Sequence, residues 1–208
     1  MSKKLVLSLA LLLALGACGK KEEAKTDEPS IGDAISAVGK LNDLADVSKD
    51  TQKNTEELKK LTPVTNDQLK SILPDSIAGI ARSSFEITNA MGILTANAKY
   101  EKDAIHYELQ VYDGAGESGS AIFGLSQLGI MMGTESETQT GYTKPYSVGD
   151  NKGSEKQDKT DANNIFNEVT LVVANRFMLT VSARGADMDA LKSAIKDADL
   201  VGKLEGLK

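Results

Sequence analysis

The sequence predicts an α+β domain, one large antiparallel sheet with helices packed over it, preceded by an N-terminal helix and a flexible tether. Three observations carry that expectation. Between Phe85 and Val111, apolar and polar residues alternate with period two, the pattern of an antiparallel sheet wet on one face. The stretches Ile31 to Val47 and Met188 to Ala198 instead space their apolar residues at three- and four-residue steps, which stacks them along one side of a helix. Ser118 to Met132 is apolar almost all round and so must be covered on more than one side.

In chain order, Met1-Ser2-Lys3-Lys4 is a short cationic head, and Leu5 to Leu15 is an uncharged apolar run. A bilayer-spanning helix needs about 20 apolar residues, so this run suits a secretory signal peptide over residues 1–17. It ends in Leu15-Gly16-Ala17-Cys18, which resembles the lipobox of bacterial lipoproteins. The resemblance implies cleavage before Cys18 and acylation of its thiol, with the mature chain held on a membrane by lipid. Several acyl chains anchor far more firmly than one. Glycine rather than aspartate at position 19 resembles cargo released to the outer membrane, facing the periplasm. Cys18 is the sole cysteine, so no intramolecular disulfide can form.

Residues 18–30 follow as the lipidated cysteine and a charged tether, with too little apolar surface to offset its ordering entropy. An N-terminal helical segment, 31–61, comes next. Ile31, Ala34, Ile35, Val38, Leu41 and Leu44 form its stripe, which fades in the polar run Ser48 to Glu57. The α+β domain is expected over 62–208. Thr65 with Gln68 three residues on reads as a capping box opening a short helix that Pro74 stops. Three strands follow, then the apolar helix, whose far side is expected to rest on the Ile31 to Val47 helix.

Polar strands are expected on either side of a turn at Gly149 to Lys152, with Pro145 at an edge because it lacks a ladder donor. Ile165 to Ala174 and Phe177 to Ala183 read as a hairpin turning at Asn175-Arg176. Asp187 caps a terminal helix whose Met188, Leu191, Ile195 and Ala198 share a face. This order of elements resembles the Mog1/PsbP-like sandwiches, and the stretch from "LPDSIAGIARSS" to "VANRFMLTVSA" is similar in style to bacterial lipoprotein families.

Gly114-x-Gly116-x-x-Gly119 has the spacing of a dinucleotide-binding loop. Such a loop needs a parallel strand before it and an acidic residue about 20 positions on to grip the ribose. Here the strand alternates like an antiparallel one, and Asp113 and Glu117 would crowd a pyrophosphate with negative charge. The glycines are read instead as a strand-to-helix turn, with Gly124 and Gly129 letting the helix approach the sheet.

The formal charge of −6 becomes −8 once residues 1–17, carrying two lysines and no acids, are removed. An acidic body disfavours nucleic acid. One histidine, His106, beside Glu108 on an outward strand face, gives no basis for a serine–histidine site or a zinc site. Asp150 is the residue to test for calcium, in a loop that supplies only part of the usual ligand pattern. No catalytic residue, cofactor or metal is therefore expected. Tyr112, Tyr142 and Tyr146, with Arg176 at the hairpin tip, are candidates for an exposed interaction patch, since tyrosine and arginine favour interfaces.

The expected function is that of a lipid-anchored, non-enzymatic envelope lipoprotein that binds or assembles with an envelope protein partner. An alternative is a carrier or sensor of a small or lipid-like ligand held between the sheet and the Ile122 to Met132 helix. An envelope hydrolase ranks behind both.

Overall fold

Strand alternation in the sequence becomes a nine-stranded sheet, antiparallel at every join, in the computed structural model, which describes residues 31–208. The expected signal peptide, the expected lipidation site Cys18 and the expected tether lie outside the described residues. In chain order the elements are α1 (Ile31–Leu58), α2 (Asn66–Ile72), β1 (Ser76–Ile77), β2 (Ile80–Ala90), β3 (Ile93–Lys102), β4 (Ile105–Asp113), α3 (Glu117–Met131), β5 (Ser136–Thr138), β6 (Gly141–Val148), β7 (Asn151–Asp158), β8 (Phe166–Val173), β9 (Phe177–Arg184), α4 (Met188–Asp197) and α5 (Leu200–Glu205).

The sheet order is β1-β2-β3-β4-β9-β8-β7-β6-β5. The chain thus meanders from one edge to the centre, crosses to the far edge through α3, and meanders back. The crossing from β4 to β5 covers five strand spacings, ~24 Å, and a 15-residue helix is ~22 Å long. Helix α3 is therefore about as long as the step it must make. Both sheet edges are short strands, β1 with two residues and β5 with three, which limits the backbone left open to foreign pairing. Strand β5 pairs with residues 141–143 only, so Pro145 keeps an unpaired side as expected.

One face of the sheet carries the main core. Leu109 and Val111 on β4 and Leu179 and Val181 on β9 are fully buried at the seam between the two meanders. Each such side chain contributes about 1.5–3 kcal/mol relative to exposure. Helices α2, α4 and α5 close this layer with Leu69, Ile72, Leu191, Ile195, Leu200 and Leu204. The local signals read in the sequence are present. Thr65 and Gln68 make a reciprocal capping box, and the Asp187 carboxylate accepts the Ala190 N–H. The terminal helix departs from expectation by breaking at Asp199, which adopts a left-handed conformation (φ 50°) and starts α5.

Across the sheet, α3 packs on Tyr112, Val172 and Met178, and α1 lies on α3. Helix α1 is continuous through the polar run to Leu58, and this run packs on α3 instead of standing solvated, with Thr51 and Leu58 buried; the side chains of residues 31–44 lie outside the described residues. The expectation for the glycines of α3 needs correction. Gly124 admits α1 rather than the sheet, and a side chain at Gly129 would meet open space.

Candidate functional site

Helix α3 is enclosed on two sides and open on the third. Toward the sheet it buries Phe123, whose ring stacks 6.5 Å from that of Tyr112. Toward α1 it presents Gly124 and Gln127. A methyl group on Gly124 would lie 2.5 Å from the Thr55 hydroxyl oxygen, so glycine is what lets these helices touch. The Gln127 side-chain carbonyl accepts from the Asn54 amide at 3.1 Å, and the same amide donates to the Asn175 carbonyl at 2.8 Å. The two helices run antiparallel. Gly116 N–H, at the head of α3, donates to the Leu58 carbonyl at 3.0 Å, whereas Met131 at its end shares a groove with Val47.

The third side is apolar and faces solvent. Ile122, Leu125 and Met132 are 45%, 77% and 56% exposed, and with exposed Gly129 they fall on one ridge of the helix. Between this ridge and α1 runs an open groove of ≈ 530 Å³, bounded by Leu125 and Leu128 on one bank and by Thr51, Gln52 and Thr55 on the other. Scattered exposed leucines are ordinary, but a row of them on one helix is the kind of surface that partners use.

The expected tyrosine and arginine patch is not assembled. Arg176 sits in the β8–β9 turn as expected, but its side chain is buried: its Nε donates to Asp113 Oδ1 at 2.9 Å and an Nη to Oδ2 at 3.0 Å. The remaining capacity of Asp113 is filled by the N–H groups of Val64 and Ala115, and Arg176 also reaches the Thr62 carbonyl. A charge-assisted network of this kind fixes the α1–α2 linker, the start of α3 and the β8–β9 hairpin to one another. Tyr112 lies half-buried beneath α3, its hydroxyl donating to the Gly119 carbonyl. Burial, reinforced by the neighbouring Asp113 charge, pushes its pKa up to about 12.

Tyr142 and Tyr146 stand on the opposite face of the sheet from Tyr112, as the register through β6, β7, β8, β9 and β4 requires. There they flank Glu155, a buried carboxylate that sequence reasoning passed over. Glu155 Oε1 accepts from the Tyr142 hydroxyl at 3.2 Å and meets Lys144 Nζ at 3.1 Å, while Lys192 Nζ rests against Oε2. Lys144 also lies over the Tyr142 ring and Lys192 over the Tyr146 ring. Burial alone would raise the Glu155 pKa; the two ammonium groups outweigh it and leave it lowered. Alternation could have flagged Glu155, since it occupies an inward position of β7 between Gly153 and Gln157.

His106 pairs with Glu101 at 3.8 Å rather than with Glu108, both partners half-exposed at the end of the sheet. Asp150 sits in the exposed turn between β6 and β7. Among the described residues no three His, Cys, Asp or Glu side chains converge as metal ligands. The Gly114 to Gly119 loop follows β4, a strand antiparallel to both β3 and β9, so the parallel strand of a dinucleotide site is not there. Only Gly116 of the three uses positive φ (82°); Gly114 is needed because a side chain would strike the Phe123 ring at 2.6 Å. The comparisons with known proteins found no matching family model, no matching curated protein and no matching solved structure.

Proposed function

We propose that the chain is a lipid-anchored envelope lipoprotein, held at the outer membrane facing the periplasm through Cys18, that acts by binding an envelope protein rather than by catalysis. The observation that carries the binding role is the ridge of Ile122, Leu125 and Met132, apolar and exposed on a helix whose other sides are packed. An amphipathic partner helix laid along such a ridge would gain its affinity from burying these side chains, with the groove beside α1 receiving its anchors. The anchoring role rests on the sequence from the cationic head to Cys18.

The two parts have separate tests. Metabolic labelling with a clickable palmitate should mark the protein, and Cys18→Ser should abolish the label; an unlabelled wild type overturns the anchor. A photo-crosslinking residue at position 125, in cells, should capture a protein. The same probe at exposed Asp150 should not, and equal capture at both positions would overturn the ridge as the contact surface.

A second reading, carriage of a small lipid-like ligand, has space in the groove between α1 and α3 and in an opening of ≈ 500 Å³ between the end of α3, at Ile130 and Met131, and β6–β7 of the sheet, whereas Phe123 and Val172 fill the sheet–helix interface further along α3. The groove volume lies within the range of small-molecule sites. Co-purification of a lipid that Leu125→Asp eliminates would favour it.

A further inference from the structure

Strand β1 exposes little backbone of its own, but it is too short to shield the strand beside it. It pairs with β2 at Ile80 and Ala81 only, and the Arg82 N–H still reaches the Asp75 carbonyl at 2.9 Å. From Ser83 to Ala90 the outer side of β2 has no strand neighbour among the described residues, and Ser83 to Glu86, Asn89 and Ala90 are exposed. The β2–β3 hairpin tells which backbone groups are left over. Ala90 pairs with Ile93 across the two-residue turn Met91-Gly92, both at positive φ (55° and 80°), the loop type whose closing pair is hydrogen-bonded. Bonded and non-bonded pairs alternate from there. Thr88, Glu86 and Ser84 therefore turn their N–H and C=O groups to β3, and Asn89, Ile87 and Phe85 turn theirs to the open side. On the core face Phe85 is left 44% exposed, with Lys70 and Arg82 over its ring at 5.1 and 5.0 Å. Neither proline nor lysine stands between Ser83 and Ala90 to blunt the edge.

We infer that β2 is a dimerisation edge that pairs antiparallel with β2 of a second copy, centred on Ile87, so that two sheets become one. The edge fits itself in this register. Phe85 falls opposite Asn89 of the second copy and Ile87 opposite Ile87, so every leftover N–H and C=O finds a partner, about six hydrogen bonds in all. Between these pairs Glu86 faces the neutral Thr88. Centring on Glu86 would oppose two carboxylates, and centring on Thr88 would run Phe85 onto the turn at Met91. In the Ile87 register, Phe85 gains the second copy's Ile87 as a diagonal neighbour on the core face. Arg82, near the start of β2, donates to the Leu73 carbonyl at the end of α2 at 2.7 Å, so antiparallel pairing carries the two copies of α2 toward opposite ends of the seam. The contact consumes both open edges and closes at two chains. It uses none of the α3 ridge, which stays free for the proposed partner.

The test uses the full chain. Light scattering should give the mass of two chains. Thr88→Glu, which opposes Glu86 twice across the seam, should raise the dissociation constant about fivefold, and Thr88→Lys, which makes two ion pairs there, should lower it by a similar factor. A folding defect cannot produce opposite signs. In a Cys18→Ser background the introduced thiols are the only ones. Oxidising a mixture of Glu86→Cys and Thr88→Cys chains should then link two chains far better than oxidising either alone, because a non-bonded pair brings its Cα atoms to ~4.5 Å. Amide exchange at Phe85, Ile87 and Asn89 should slow as protein concentration rises.

A one-chain mass at the highest attainable concentration overturns the inference, and so does a two-chain mass that ignores both Thr88 substitutions. Equal linkage from Glu86→Cys alone overturns the register centred on Ile87. Protection of the three amides at every concentration overturns the second copy, because a segment of the same chain or another partner then holds the edge. The photo-crosslinker at position 125 reads the α3 ridge separately, so failure at β2 leaves the proposed binding role standing.

Discussion

Arg176 and Asp113, 63 positions apart in sequence, form a two-pronged ion pair that is almost wholly buried. The pair is also the junction at which α1, α3 and the β8–β9 hairpin meet. Removing one partner strands the other charge in the interior. Asp113→Ala should therefore cost about 3–5 kcal/mol in urea unfolding, and Arg176→Ala a similar amount. Arg176→Met paired with Asp113→Leu should cost less than the sum of the single losses, because no charge is then left buried. Additive losses would mean that the two side chains are not coupled.

Gly124 and Thr55 set how closely α1 approaches α3. The Thr55 hydroxyl donates to the Thr51 carbonyl at 2.8 Å, so making room for a new methyl group forces it to give up that bond. Gly124→Ala should lower stability by about 1 kcal/mol despite the better helix propensity of alanine. Adding Thr55→Ala should restore most of the loss. A double-mutant cycle in thermal unfolding reads the coupling, and Gly124→Ala stability equal to or above wild type would show that α1 does not sit in this contact.

These contacts explain what could and could not be read from residues alone. Caps are local: Thr65 with Gln68 and Asp187 with Ala190 act within three positions, so their pattern is visible in any short window. Strand alternation is nearly as local. The polar run Ser48 to Glu57 hid an interface because Thr51, Asn54 and Thr55 bury themselves by fitting Gly124 and bonding Gln127, not by being hydrophobic. Arg176 could be placed at a turn, but its choice of Asp113 over solvent depends on the join of β4 with β9. The side taken by Tyr142 and Tyr146 is likewise fixed by register accumulated across several strands.

Glu155 gives the domain an acid-sensitive point. Its folded pKa is lowered, so its pairing with Lys192 and Lys144 contributes stability above the unfolded value of about 4.3 and loses it as pH falls through the folded value. Wild-type stability should fall below pH ~4.5 more steeply than that of Glu155→Gln. At pH 7 that variant should be less stable by about 1–2 kcal/mol, a modest figure because Lys144 and Lys192 keep access to water. Urea midpoints measured from pH 3 to pH 7 check both. Parallel curves for the two proteins would remove Glu155 from the acid response.

The alkaline limit has a different origin. Burial pushes Tyr100 and Tyr112 up to about 12, and the hydroxyl of each is also held by a backbone carbonyl, Pro74 for Tyr100 and Gly119 for Tyr112. A tyrosine whose folded pKa is raised stabilises the fold fully below its unfolded value of about 10, and that contribution is lost as pH climbs through the folded value. The five tyrosines should therefore ionise unevenly when followed by ultraviolet absorbance, with Tyr100 and Tyr112 in a late phase that coincides with unfolding. Tyr112→Phe should remove part of that late phase. It should also leave α3 less firmly seated, because the ring beneath Phe123 remains but the tie to Gly119 is gone. Amide exchange in α3 should then accelerate while that of α4, on the other face of the sheet, stays as it was. If both helices respond alike, the hydroxyl acts on global stability and not on the seating of α3.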